Sequence, residues 1–256
     1  MDARSRTALL LAVLALACSG PGEQAQLQAD THFRLATSRL QRGALELAIR
    51  EYRAALAIEP DNAEYNFGIA EAYRRKGEIG DAEKHLLRAI ELDPEHQDAR
   101  LNLSVVYLQQ ERWQDAIDTT SVLLKDVTFL NPSRALVNRG WARYRAGDKE
   151  GAEQDLREAV VDGAGYQARL NLAIVLFDSG DTLEAMSQLK RVIGQLEKSP
   201  AAAARCAEAE ARFHMAKAHV KLGQRDSALS ELLIGSERGE NCNWGSKSKE
   251  YLALLK

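Results

Sequence analysis

The sequence predicts an all-α fold, a solenoid of six helix-turn-helix repeats closed by a C-terminal capping helix. Three observations predict it. In Ala63 to Pro94, apolar residues recur at helical spacing: Ile69, Ala70 and Tyr73 on one helix, then Ala82, Leu86, Ala89 and Ile90 on the next. Spacings of three and four place each set on one stripe, and neither helix can bury its stripe alone. The unit is then copied. The alanine at the centre of the second helix recurs as Ala48, Ala82, Ala116, Ala152, Ala185 and Ala228, at steps of 34, 34, 36, 33 and 43 residues. Finally, the turn inside each unit carries Gly43, Gly77, Gly147, Gly180 or Gly223, with Glu111 in the remaining copy. A small residue marks the crossing point of each first helix: Ala36, Ala70, Ser104, Gly140, Ala173 and Ala216.

Taken in order, residues 1–17 read as a secretory signal. Arg4 and Arg6 give the positive start. Ala8 to Ala17 is an apolar run too short for a bilayer, which needs about 20 residues. The run ends Leu14-Ala15-Leu16-Ala17-Cys18, which resembles a bacterial lipobox. That resemblance implies cleavage before Cys18 and lipidation of it. The alternative is an ordinary signal peptide with Cys18 incidental. Ser19 follows where aspartate often marks inner-membrane retention, so the outer membrane is the expected destination. Residues 18–28 then form the lipidated cysteine and a flexible polar tether. Repeats are expected near 29–62, 63–96, 97–130, 133–163, 166–199 and 201–238, within an array spanning 29–243. Asp93-Pro94 stops a helix, because the residue before a proline is driven out of the helical region. Asn131-Pro132-Ser133 starts one after the loop Val127 to Leu130. Gly163-Ala164-Gly165 separates repeats four and five. Residues 244–256, with Trp244, Tyr251, Leu252 and Leu255, form the capping helix that such a stack needs.

Composition narrows the function. The chain has 256 residues, 6% aromatics and a net charge of −3. A solenoid buries its core between neighbouring repeats, so this length reads as one array rather than two globular domains. The charge balance offers no pull toward nucleic acid, and no basic stripe is interleaved with aromatics. Cys18, Cys206 and Cys242 form no CxxC and no zinc spacing. There is no GxSxG, Walker loop, GxGxxG or HExxH, and His32, His85, His96, His214 and His219 are scattered. No catalytic residue, metal site or cofactor is expected, and the chain reads as not an enzyme.

Period, turn glycine and small crossing residue together resemble the tetratricopeptide repeat (TPR) family, over about residues 29–238. Arg143 and His219 depart from it, standing where an aromatic is usual. The resemblance implies a right-handed superhelix whose first helices line a partner-binding groove. Mapped here, the groove positions are Phe67; Leu101, Val105 and Leu108; Val137, Trp141 and Tyr144; Leu170, Ile174 and Phe177; Phe213 and Val220. Asn102, Asn138 and Asn171 run beside them, one per repeat, able to hold a guest's backbone. The expectation is an apolar groove with a polar ladder, with some of these side chains packing between repeats as the alternative. Cationic grooves of that family can clamp a carboxylate terminus, but the matching lysines are missing here from repeats three to five, and only Lys217 and Lys221 of repeat six stand near such positions.

Export supplies an oxidising compartment. Cys206 lies near the start of the first helix of repeat six and Cys242 just beyond the end of its second. In an antiparallel hairpin those ends share one side, which predicts a Cys206–Cys242 disulfide, with two free thiols as the alternative. A lipobox, six TPRs and a cysteine pair bracketing the last resemble the lipoprotein pilotins of type IV pilus systems (the PilF, PilW and Tgl group). That resemblance implies a lipid-anchored protein on the periplasmic face of the outer membrane. Its partner would be a secretin subunit, or another apolar or amphipathic segment, which it helps to target and assemble. The runner-up is a periplasmic TPR lipoprotein adaptor of another envelope system, serving peptidoglycan or envelope maintenance.

Overall fold

The computed structural model of the chain describes residues 22–255. The signal segment and the proposed lipidation site Cys18 lie outside the described residues. Thirteen helices follow one another among those residues, and they pack into two compact units divided between Gln110 and Glu111. The division falls inside the third repeat, where the sequence reading has one array.

The first unit holds α1 (Glu23–Gln41), α2 (Leu45–Ile58), α3 (Ala63–Lys76), α4 (Ile79–Leu92) and α5 (Gln97–Gln109). Some of these elements start or stop for a visible local reason. The Asn62 side chain accepts the Tyr65 N–H at 3.1 Å and caps α3. Gly77, at φ 87°, turns the chain left-handed to end that helix, a conformation glycine adopts without steric cost. The His96 Nδ1 accepts the Ala99 N–H at 3.3 Å at the start of α5. Small residues permit the close crossings: Ala36, Ala48, Ala70 and Ala82 are wholly buried. Gly68 gives way to the Tyr52 ring, which would lie 2.5 Å from an added Cβ. Polar ties join the helices. The Tyr65 hydroxyl donates to Asp30 at 2.6 Å, and buried Glu51 accepts from Arg39 and His32, each at 2.8 Å.

The second unit holds α6 (Trp113–Lys125), α7 (Pro132–Ala146), α8 (Lys149–Val161), α9 (Tyr166–Ser179), α10 (Thr182–Leu196), α11 (Ala202–Lys221), α12 (Arg225–Arg238) and α13 (Asn243–Leu255). Its core alternates between small and branched residues. Ala152, Leu156, Leu172, Val175, Leu176 and Ala185 form one cluster. Leu170, Ala173, Leu189, Val192, Ala207, Ala211 and Met215 belong to another. Burial of the leucine, valine and methionine side chains stabilises by roughly 1.5–3 kcal/mol each, and the alanines contribute less while permitting close approach. α13 closes the far end, where Tyr251, Leu252 and Leu255 pack on Ala216, Ala228 and Leu232. A Cys206–Cys242 disulfide, with Cα atoms 6.0 Å apart, ties the start of α11 to the turn before α13.

The two departures from the repeat pattern each have a partner. Arg143 donates to buried Asp155 at 2.9 Å, and Arg139 donates to the same carboxylate at 2.7 and 2.8 Å. The His219 Nδ1 lies 2.6 Å from Gln224 Oε1 across the turn. Among the described residues, no helix is long and apolar enough to cross a membrane.

Candidate partner-binding face

In the first unit, α5 leaves Asn102, Val105 and Leu108 half-buried at a spacing of three. Phe67 of α3 stands beside them in sequence logic, and its ring lies 4.8 Å from that of His96. Leu101 does not join this face. It is 1% exposed, because it falls on the buried side of α5 with Ala99, Leu103 and Ser104.

In the second unit the open face runs from α7 to α13. Trp141 and Tyr144, one turn apart on α7, have ring centroids 5.3 Å apart. The Tyr144 hydroxyl donates to Asp178 of α9. Burial first, and then that carboxylate, push the Tyr144 hydroxyl up to about 12, so it remains a donor at neutral pH. Phe177, next to Asp178, lies under two ammonium groups of α11: Lys221 Nζ is 4.8 Å and Lys217 Nζ 5.3 Å from its ring centre. Such contacts contribute about 0.5–1 kcal/mol when exposed. The C-terminal carbonyls of α9 take two cations, Lys149 on Asp178 O at 3.0 Å and Lys221 on Phe177 O at 3.4 Å.

One turn back along α11, His214 lies 5.6 Å from the Trp244 ring of α13, and Lys247 Nζ stands 4.0 Å above the same indole. Burial holds His214 down to about 4, so its imidazole is neutral at pH 7. Burial also raises the Glu210 carboxyl to about 7, against the pull of Lys247.

Several expected groove residues lie elsewhere. Leu170 is 0% exposed and Ile174 9%, both in the core shared by α9, α10 and α11. Asn171 is buried too, and its Oδ1 accepts from Gln167 at 2.9 Å, so the three asparagines are not a free ladder. Asn138 stays half-buried on α7. Phe213 packs beneath the cap, 5.4 Å from Trp244 and 5.8 Å from Tyr251. Val137 and Val220 pack against core clusters. The face that remains is Trp141, Tyr144 and Phe177, flanked by Asp178, Lys217, Lys221, Trp244 and Lys247. Asp178 and Lys247 were not singled out from sequence. Their signal is position: Asp178 follows a groove aromatic, and Lys247 is one turn beyond Trp244.

With that geometry in place, similarity to known proteins gives it a context. A tetratricopeptide repeat model matches residues 69–126 and 137–203, and a TPR repeat model matches 38–77. The type IV pilus assembly protein PilF of Pseudomonas aeruginosa is 26% identical over 169 residues, covering 61% of this chain and 67% of that protein. The inactive TPR repeat-containing thioredoxin TTL3 of Arabidopsis thaliana is 25% identical over 142 residues, 54% of this chain but 20% of its own length. The crystal structure of PilW, a type IV pilus biogenesis factor, superposes with a TM-score of 0.74 at 17% identity, covering 86% of this chain and 97% of that one. At that identity the structural likeness speaks for the fold alone.

Proposed function

The chain belongs to the tetratricopeptide repeat family, and from that premise we propose that it is a non-catalytic scaffold for type IV pilus assembly. In this reading Cys18 carries the lipid anchor, and the helical array faces the periplasm from the outer membrane. Its task is that of a pilotin. It binds a secretin subunit, keeps an apolar segment of that subunit from aggregating, and promotes outer-membrane targeting and assembly. The mechanism is physical, since the array offers a surface and the anchor sets the place. One acyl chain binds a membrane only marginally, while several hold it stably.

The observation that carries the binding reading is the aromatic row Trp141, Tyr144 and Phe177, left partly uncovered on successive first helices. Aromatics of this kind dominate interface energies, at about 2 kcal/mol or more when fully desolvated by a partner. Similarity to a type IV pilus assembly protein over 61% of the chain supports the choice of system. The disulfide supports an extracytoplasmic compartment, where such bonds persist.

The test is affinity capture from solubilised outer membranes with the full chain as bait, read by mass spectrometry. A secretin captured by the native protein and lost with Trp141→Ala, at unchanged melting temperature, is the expected result. Capture of peptidoglycan enzymes in place of a secretin would move the protein to another envelope system. Equal loss of folding and capture would make Trp141 a packing residue only.

A further inference from the structure

Three ammonium groups on the open face of the second unit have no carboxylate within ion-pair distance among the described residues. Lys217 and Lys221 lie over the Phe177 ring, and Lys247 lies over Trp244. Other described lysines also lack an ion pair, but these three in addition lie over aromatic rings, and the arginines behave differently. Arg39, Arg74, Arg88, Arg139, Arg157, Arg212 and Arg238 all reach carboxylates at 2.9 Å or less. Two carboxylates stand near the lysine row, Asp178 and Glu210, and neither pairs with these lysines. Asp178 accepts from Tyr144. Glu210 sits under the cap with its carboxyl raised to about 7. A chain of net charge −3 thus keeps three ammonium groups over Phe177 and Trp244, on the same face as the partly uncovered rings of Trp141 and Tyr144.

We propose that this row binds an internal peptide segment in which acidic side chains alternate with apolar ones. The two aromatics are lidded by cations whose only hold is the ring face and, for Lys221, one carbonyl at 3.4 Å. An acidic side chain on a guest draws each ammonium away from its ring. The ring face then opens to the guest's neighbouring apolar side chain. Each of these two recognition elements thus needs both chemistries side by side, and a purely apolar segment finds Phe177 and Trp244 already covered. Charge complementarity of this kind chiefly sets specificity and association rate. The inference rests on the scaffold reading above and names the chemistry of its partner.

The experiment uses fluorescence anisotropy with the full chain and a labelled peptide alternating aspartate with leucine and phenylalanine, amidated at its C-terminus. Three controls accompany it: the aspartates replaced by asparagine, the aspartates replaced by lysine, and the acidic peptide with a free C-terminal carboxylate. The acidic amide is expected to bind best, more weakly as salt rises. The Lys217→Gln/Lys221→Gln double variant should bind it about tenfold less tightly, and Lys217→Arg/Lys221→Arg should retain it. Unchanged melting temperatures for both variants keep the reading on the face rather than on folding. Equal affinity for the asparagine peptide, indifference to the lysine variants, or binding only with a free carboxylate end each overturns the proposal. Equal binding of the asparagine and acidic peptides, abolished for both by Trp141→Ala, would overturn it while leaving the scaffold reading intact. Failure of the acidic peptide to bind overturns it whatever the other peptides do.

Discussion

Arg143 reaches Asp155 at 2.9 Å, from a helix position where the repeat pattern usually places an aromatic. Asp155 is 1% exposed and takes a second guanidinium, Arg139, in a two-pronged contact at 2.7 and 2.8 Å. The pair of arginines replaces aromatic packing with an ionic tie between α7 and α8. Asp155→Ala should therefore destabilise by about 2–3 kcal/mol, below the value for fully buried pairs because both guanidinium groups retain some solvent. Arg143→Phe should cost much less, since Arg139 still pairs the carboxylate. Thermal melts of the two variants check the order, and a larger loss for Arg143→Phe would refute it.

Two turn and crossing positions predict opposite signs. Gly140 is where α7 meets α8, and an added Cβ would stand 2.8 Å from Leu156 Cγ and 3.2 Å from Ala152 O. Gly140→Ala should destabilise by about 1–3 kcal/mol through forced repacking. Glu111 is the non-glycine residue with a positive φ among the described residues, at 59°. Glu111→Gly relieves that strain and should stabilise by about 0.5–1 kcal/mol, less the extra entropy of the unfolded glycine. Its exposed ion pair with Arg145, at 3.9 Å, contributes little. Chemical denaturation of both variants reads the two signs.

The repeat frame was legible because its requirements are local. Gly43, Gly77, Gly147, Gly180 and Gly223 all adopt positive φ, and the sequence shows them at fixed phase. The second-helix alanines, Ala48 to Ala228, are all 0% exposed, as helical periodicity implies. The open face was less legible. α9 is buried from Leu170 to Leu176 without a break, so no stripe separates its core side from its open side. That hid the burial of Leu170, Asn171 and Ile174. The two lysine lids of Phe177 join residues 40 and more apart in sequence, Phe177 with Lys217 and with Lys221, and no local pattern announces such contacts. The division at Gln110 also left no compositional break.

Cys18 bears the membrane prediction. Cys18→Ala should release the protein from outer-membrane fractions into the soluble periplasm, since the proposed anchor is covalent lipid. Cell fractionation with immunodetection measures it. Retention of the variant on outer membranes at the native level would remove the anchor from the proposal.

The Cys206–Cys242 bond closes a loop between residues 36 apart. The chain-entropy model gives about 4 kcal/mol for a loop of that size. The bond lies beside the terminal helix, whose neighbours among the described residues are α11 and α12, so its loss should act locally. Cys206→Ser/Cys242→Ser should raise amide exchange in 201–255 far more than in 132–196. Hydrogen exchange with mass spectrometry separates these segments, and a uniform change across both would contradict a local role.

The same terminal region predicts an unusual pH profile. Burial raises the Glu210 carboxyl from 4.5 to about 7, with Lys247 opposing. Burial lowers His214 from 6.5 to about 4, with Lys217 and Lys247 adding to the fall and Asp178 opposing it. The folded state holds the Glu210 proton more tightly than the unfolded chain does. Its contribution is therefore full below pH 4.5 and is lost as pH rises through about 7. The folded state holds the His214 proton less tightly, so that contribution is full above pH 6.5 and is lost as pH falls through about 4. Between pH 4.5 and 6.5 the two slopes oppose each other and largely cancel. Removing either group should expose the other. With Glu210→Gln, stability should rise with pH from about 4 to 6.5, and with His214→Gln it should fall from 4.5 to about 7. Each slope is bounded at about 1.4 kcal/mol per pH unit. Melting temperatures taken across this range for the native chain and both variants, and compared as differences, test the cancellation. Parallel profiles for all three proteins would show that the two buried groups do not titrate against one another.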